Sequence, residues 1–453
     1  MVHHDARLRA AATIDRRRLL QAAGASGLAL TLASRLGPGG LAQETTLSKD
    51  YSGTTLNALM EDIIETTLIE ELLPDFQEKT GITVQFEKVV YPTMHDKLVA
   101  SLAAGEGSGV YDFLEVDFYW VYEFARSGWV EELTPRIDKS NGAIDMSRYE
   151  DAVKKINSEV DGKTYYVPMY VYPMGLIYRQ DLMDDPAIKD AYKTAAGKDL
   201  ALPTTVDDYV AMVKTVQKIK PGQLYGTVMQ GQQGDPIVME FCNYLFGLGG
   251  SFYDADLKKS TINDATGVKA ATLYLDAIKN AAQPGAANAN LDDTNALWAQ
   301  GKAFTTVGYL FILANAENDP KSAVKGKGKV TTMPGGHGLT GAWSWGIPKS
   351  SPNADAAWEF IKWVESPEIA LKRALGGGVA AQNEPYANQD YITKYPWMAQ
   401  VKDLIATGMG LPAVTKQATL VEIVGRHLSD AVAGGKDPQA AMDAAAKELE
   451  GLL

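Results

Sequence analysis

Residues 111–133, YDFLEVDFYWVYEFARSGWVEEL, and residues 161–183, DGKTYYVPMYVYPMGLIYRQDLM, decide the fold class. In the first, Phe113 to Val116 read as a buried strand. Asp117, Phe118, Tyr119 and Trp120 follow its carboxyl end, ahead of a helix that stops at Gly128. In the second, Tyr166, Pro168, Tyr170 and Tyr172 alternate with Val167, Met169 and Val171, and a period of two predicts a strand with one aromatic face. Pro168 and Pro173 point to an exposed edge or an inter-domain crossing, because proline cannot donate to a central ladder. Asp161-Gly162 supplies the turn that leads into this strand.

Outward from these stretches, short β-branched or aromatic runs alternate with helical patterns. Gly81 to Phe86 is followed by a helix candidate from Thr93 to Ala104. Ile64, Leu68, Leu72 and Phe76 recur at a four-residue spacing that ends near Gly81, with Pro74 expected to kink or restart the helix. Pro203, Thr204 and Thr205 announce a helix over Val206 to Ile219, and Pro352-Asn353 another through Ala357, Phe360, Ile361 and Val364. The alternation predicts α/β layers.

Arg16, Arg17 and Arg18 precede an apolar, small-residue stretch from Leu19, and Gly40-Leu41-Ala42 leads into polar sequence. This is an export signal with a cut expected after Ala42, and the paired arginines fit the twin-arginine type. No cysteine stands at that cut to carry a lipid. Without residues 1–42 the formal charge moves from −13 to −17, since six basic and two acidic residues leave. Such acidity argues against a nucleic-acid surface. Cys242 is the single cysteine and packs as a small hydrophobe, so stability must come from core burial, and a chain of roughly 400 mature residues predicts two domains.

Asp117 can accept hydrogen bonds from hydroxyls, and Tyr119 and Trp120 offer flat faces with polar tips, a set that suits a sugar ring beyond a strand's carboxyl end. In TGAWSWG, 340–346, strand alternation would put Trp343 and Trp345 on one face as a stacking platform. Trp298 reads as core, Met174 and Met229 as fillers, and His95 with Asp96 as a solvated first-turn pair. His3, His4, His95, His337 and His427 form no metal spacing; no metal and no cofactor is expected.

These stretches resemble the family 1 extracellular solute-binding proteins, the maltose-binding-protein-like receptors of ABC importers. The resemblance rests on the order of FQEKTGITV at 76–84, the strand to Asp117 with Gly128-Trp129, DGK at 161–163, AQGKAF at 299–304 and GIPKSSPN at 346–353. It implies a type II periplasmic binding fold, two α/β lobes joined by three crossings with the ligand between them. The crossings are expected near Val167 to Tyr172, Ala303 to Gly308 and Gly338 to Trp345. Residues 43–167 with 308–340 would form one lobe, and 168–307 with 341–453 the other. Carried onto this sequence, the ligand positions are Tyr91, Thr93, Asp117, Tyr119, Tyr172, Gln232, Tyr309, Gly341, Trp343, Trp345 and, in the GGG loop, Gly377. The implied protein is a monomeric periplasmic receptor for a neutral sugar, oligosaccharide or sugar alcohol, delivering to an inner-membrane permease and catalysing nothing.

Two alternatives stay open. A charged solute would need Arg179 or Arg373 for a phosphate, or several carboxylates for a polyamine, and of these only Asp117 is well placed. A glycoside hydrolase would need a second carboxylate, and Glu115 and Glu123 read as strand or helix surface.

Overall fold

Parallel and antiparallel pairing combine in one sheet, whose strands run in the order β2-β1-β3-β10-β6-β8-β7, with β9 on β6 off that path. The strands are β1 Thr55–Glu61, β2 Thr83–Val89, β3 Phe113–Asp117, β4 Glu159–Val160, β5 Lys163–Thr164, β6 Val167–Arg179, β7 Tyr225–Val228, β8 Ala303–Tyr309, β9 Gly328–Thr331 and β10 Thr340–Gly346. The computed structural model describes residues 45–103, 105 and 109–453. The export signal expected over residues 1–42 lies outside the described residues, as do Ala104 and positions 106–108 of the glycine-rich loop.

Local chemistry explains the elements. The helix Ile64–Thr80 ends where Gly81 takes φ 76 and returns its N–H to Gln77, as expected of a left-handed cap. It passes through Pro74 as a single helix, so of the kink or restart expected there the restart does not occur. Thr205 accepts the Asp208 N–H at 3.1 Å and caps the helix Val206–Ile219. Asp161 and Gly162, both at positive φ, turn β4 into β5.

β6 is the rail of the molecule. Its first part, Val167 to Pro173, pairs antiparallel with β10, and through β10 joins β3, β1 and β2. Its second part, Met174 to Arg179, pairs with β8 and β9, and β8 pairs parallel with β7. The two prolines therefore mark a crossing, one of the two expected alternatives, and the change of partner falls at Pro173/Met174. Each side has its own aromatic core. Phe76, Phe113, Trp345, Phe360 and Trp363 pack on the β3 side, while Tyr209, Phe241, Tyr244 and Tyr274 pack on the β8 side.

Strand pairing divides the chain differently from the expected lobe boundaries. Segment 308–340 was expected beside β3, yet β9 pairs with β6 and β8 stays between β6 and β7. Ala303 to Gly308 is thus no crossing. Conversely β10 pairs with β3, and Phe360 of the helix Ala354–Val364 stacks on Phe113 at 4.4 Å, so the chain after 341 returns to the β3 side. The third passage lies at 407–416. There the Met409 N–H reaches the Gly338 carbonyl and the Thr340 N–H the Met409 carbonyl, before the helix Gln417–Gly434 packs against Asp235–Gly247.

Candidate functional site

Parallel strands β1 and β3 end together, and that edge carries Glu61 and Asp117. Asp117 is 3 % exposed, lies in register with Trp343 of β10, and accepts the Tyr91 hydroxyl on Oδ2 at 2.6 Å. Tyr91 stacks on Trp120 at 5.9 Å and meets Trp343 edge-on at 5.8 Å, while Tyr170 stacks on Trp343 at 5.9 Å. Immediately after β3, Tyr119 stacks on Phe118 and donates its hydroxyl to Asp235. Asp235 opens the helix Asp235–Gly247 on the β8 side, so this bond spans the two sides of the sheet, and Asp235 keeps its exposure to solvent.

At the seam in β6, Tyr172 lies opposite Gly341 and Met174 opposite Tyr309. A Cβ at Gly341 would sit 3.3 Å from the Tyr309 ring and 3.6 Å from Phe118, so glycine leaves the room these rings occupy. Tyr309 stacks on Phe311 at 5.7 Å, and Phe311 meets Tyr172 edge-on. Tyr91, Tyr172, Tyr309 and Phe311 remain partly exposed.

Behind them lies a bank of acids. Tyr172 donates to Glu65, and Tyr170 to Glu115 at 2.8 Å, while the Glu61 N–H binds the other Glu115 oxygen at 2.7 Å. Desolvation pushes the buried and half-buried carboxyls of the group up, namely Glu65, Glu115, Asp117 and Glu61. Glu61 rises from 4.5 to about 7, through burial first and then the charge of Glu65. Burial and the charges of Asp117 and Asp235 likewise hold the hydroxyls of Tyr91 and Tyr309 protonated as donors.

The sign follows from linkage. A carboxyl whose folded value lies above its unfolded one binds its proton more readily in the native state, so stability rises as pH falls from about 7 to 4.5 and the gain is complete below that. The Glu61 share is on the order of 3 kcal/mol at most. Urea midpoints at pH 8, 6.5 and 5 are expected to increase in that order for the ligand-free protein, and Glu61→Gln to flatten the trend; an unchanged trend in Glu61→Gln would assign it elsewhere.

Of the expected positions, the structure brings Tyr91, Asp117, Tyr119, Tyr172, Tyr309, Gly341 and Trp343 together. Trp345 does not join them. It is fully buried against Phe113 and Phe360 and donates its indole N–H to Glu365 at 2.7 Å. Two residues along a strand is about 7 Å, enough to carry its indole from the edge of β3 into the core, so the platform of two indoles is corrected to Trp343 alone. Gly377 is a helix cap at φ 120, its N–H on the Ala374 carbonyl, which explains the glycine without a ligand. Thr93 is exposed with its hydroxyl on the Val90 carbonyl, and Gln232 is exposed three residues before Asp235.

Other expectations change too. Glu115 is wholly interior rather than surface. His95 is not a solvated partner of Asp96 alone: it bonds Glu123 at 2.9 Å and packs on Trp120 and Phe124. Arg179 is held by Asp181 and Arg373 by Glu365, leaving neither for a phosphate. Trp298, Cys242, Met174 and Met229 are core. Sequence reading missed Glu61, Glu65 and Asp235. Glu61 could have been found, because it ends β1 as Asp117 ends β3. Among the described residues no group of three or more His, Cys, Asp or Glu is arranged to hold a metal ion, and no helix is long and apolar enough to cross a membrane.

Rings, hydroxyls and carboxyls thus gather at the junction of the two sheet halves, where β6 changes partners. The chain belongs to the bacterial extracellular solute-binding protein family, which it matches over residues 61–371. It is similar to a solute-binding protein of an ABC transporter from Agrobacterium radiobacter K84, solved in complex with ribitol. The TM-score is 0.75 at 25 % identity, covering 89 % of this chain and 99 % of that one. It is also 23 % identical over 400 residues to the erythritol/L-threitol-binding protein of Mycolicibacterium smegmatis, covering 81 % of this chain and 80 % of that protein. A Sinorhizobium fredii relative named "Probable amino-acid ABC transporter periplasmic-binding protein y4oP" is 24 % identical over 352 residues, 77 % of this chain and 78 % of its own. The fold is the type II periplasmic binding fold.

Proposed function

We propose that the protein is the substrate-binding component of an ABC importer and captures a sugar or sugar alcohol between two closing lobes. The carrying observation is the Tyr119–Asp235 bond, which joins the β3 side to the β8 side where Trp343, Tyr91, Asp117, Tyr172 and Tyr309 gather. Rings offer apolar faces to a carbohydrate's C–H groups, and the acids take its hydroxyls. Ribitol in the Agrobacterium receptor, and erythritol or threitol in the Mycolicibacterium one, are ligands of that size and chemistry.

The lobes of this reading are 45–172 with 341–406, and 174–339 with 410–453, hinged at Pro173/Met174 and the two other passages. A ligand touching both lobes favours the closed form by its differential affinity, and the closed face is what a membrane permease reads. The protein acts in the periplasm as a monomer, exported by the twin-arginine signal in residues 1–42, and it catalyses no reaction on its ligand.

The test is a thermal-shift series with ribitol, erythritol, D-mannitol, D-glucitol, maltose and maltotriose, each assayed in parallel for turnover. A ligand that binds the native state alone adds about 2.7 kcal/mol at 100 times its Kd. One carbohydrate group is expected to raise the melting temperature and to be recovered unchanged. Hydrolysis of any of them would sink the non-catalytic reading.

A further inference from the structure

From the charge balance of the cleft we infer that the captured solute carries a protonated amine, as an amino sugar or amino alditol does; this rests on the receptor reading above. Five carboxyls gather at or behind it, Glu61, Glu65, Asp117 and the interior Glu115 from the β3 side and Asp235 from the β8 side. Asp117 feels the charges of Asp235 and Glu61, and Glu115 those of Glu61 and Glu65. Among the described residues none of the five forms an ion pair, and the guanidinium of Arg373, whose charge acts on Glu65, is spent on Glu365 and the Met169 and Val364 carbonyls.

The acids are also incompletely bonded. Asp117 Oδ1 and Glu65 Oε2 are buried without a hydrogen-bond partner, on residues only 3 % and 2 % exposed. The second oxygen of each is occupied, by Tyr91 and Tyr172. Glu61, partly exposed, has no cationic partner among the described residues, and Asp235 is exposed. Closing the lobes removes water from this group. Burial favours the protonated forms of these acids in the free protein, and an ammonium, with three donors and the opposite charge, stabilises their ionised forms as a neutral polyol does not. The faces of Trp343, Tyr91, Tyr172 and Tyr309 add the electron-rich surfaces to which a cation is drawn. Binding an amine takes several carboxylates, and the fold assembles them from the ends of β1 and β3, the interior of β3 and the first turns of two helices, segments far apart in sequence.

The experiment is isothermal titration and thermal shift of the purified mature protein at pH 7.5 and constant salt. The probes are D-glucitol, its amine N-methyl-D-glucamine, D-glucose, D-glucosamine and spermidine. The amine of each matched pair is expected to bind at least about tenfold more tightly, which is 1.4 kcal/mol or more, and Glu61→Gln to lower the ratio of amine to neutral affinity within each pair. Equal or tighter binding of the neutral partners overturns the amine and leaves the receptor standing. A response to spermidine alone upholds the ammonium and overturns its polyhydroxylated frame. Silence across all five probes and the neutral series above overturns both readings.

Discussion

Replacing Arg373 by methionine is expected to cost about 3–5 kcal/mol of unfolding free energy, the largest single loss at any charged position, because it strands a buried carboxylate. Arg373 is 6 % exposed and Glu365 1 %. One guanidinium nitrogen binds Glu365 Oε1 at 2.7 Å and the other the Met169 carbonyl at 2.7 Å. Glu365 also accepts the Trp345 indole and, on its other oxygen, the Gln382 amide at 2.8 Å. One residue pair therefore ties β6, β10 and the chain around 365–382 beneath the β3 end of the cleft. Burial pushes the Glu365 carboxyl up and Arg373 pulls it down, so without the arginine the acid takes a proton. The double variant Arg373→Met with Glu365→Gln should recover more than half of the loss, since no charge is then left unpaired. Urea midpoints of the two variants at pH 7.5 check this; equal losses in single and double variants would mean that packing, not the stranded charge, sets the cost.

Trp343→Ala is expected to weaken ligand binding by about 30-fold or more, the size of a central aromatic anchor of 2 kcal/mol or above, and to lower stability by about 3 kcal/mol, the usual cost of an emptied aromatic site. The indole is 8 % exposed and touches three rings from three elements, Tyr91 before the helix Met94–Leu102, Trp120 after β3 and Tyr170 on β6. Trp343→Phe keeps a ring face on Tyr170 and should retain most of the stability with a smaller loss of affinity. Titration of the two variants with the ligand that most raises the wild-type melting temperature gives the answer. Wild-type affinity in Trp343→Ala would move the site away from this strand.

Trp343 and Trp345 illustrate what the residue order carries and what it hides. Period two correctly made β10 a strand, but alternation assigns a face and says nothing of position along it, and the step from one indole to the other leads from cleft to core. The same holds for β3. A short run with aromatic residues beyond it was legible as a strand, and Asp117 ends that strand as expected. Glu61 obeys the same rule one strand over and escaped because β1 carries no aromatic tail. Glu115 looked like surface because a charge within a strand usually is; here the Tyr170 hydroxyl and the Glu61 amide bond it inside. Asp235 is joined to Tyr119 only through the fold, 116 residues later. Local signals also set the helix Ile64–Thr80 and its cap at Gly81, while the side of the molecule to which segments 308–340 and 341–406 return depends on strand pairings that no short stretch encodes.

The most direct test is a crystal structure of the mature protein with the carbohydrate or amine that raises its melting temperature most. The ligand is expected between the Trp343 face, Asp117 Oδ1 and Tyr309, with Asp235 reaching it from the other side. A ligand bound elsewhere, with Trp343 and Asp117 untouched, would contradict it.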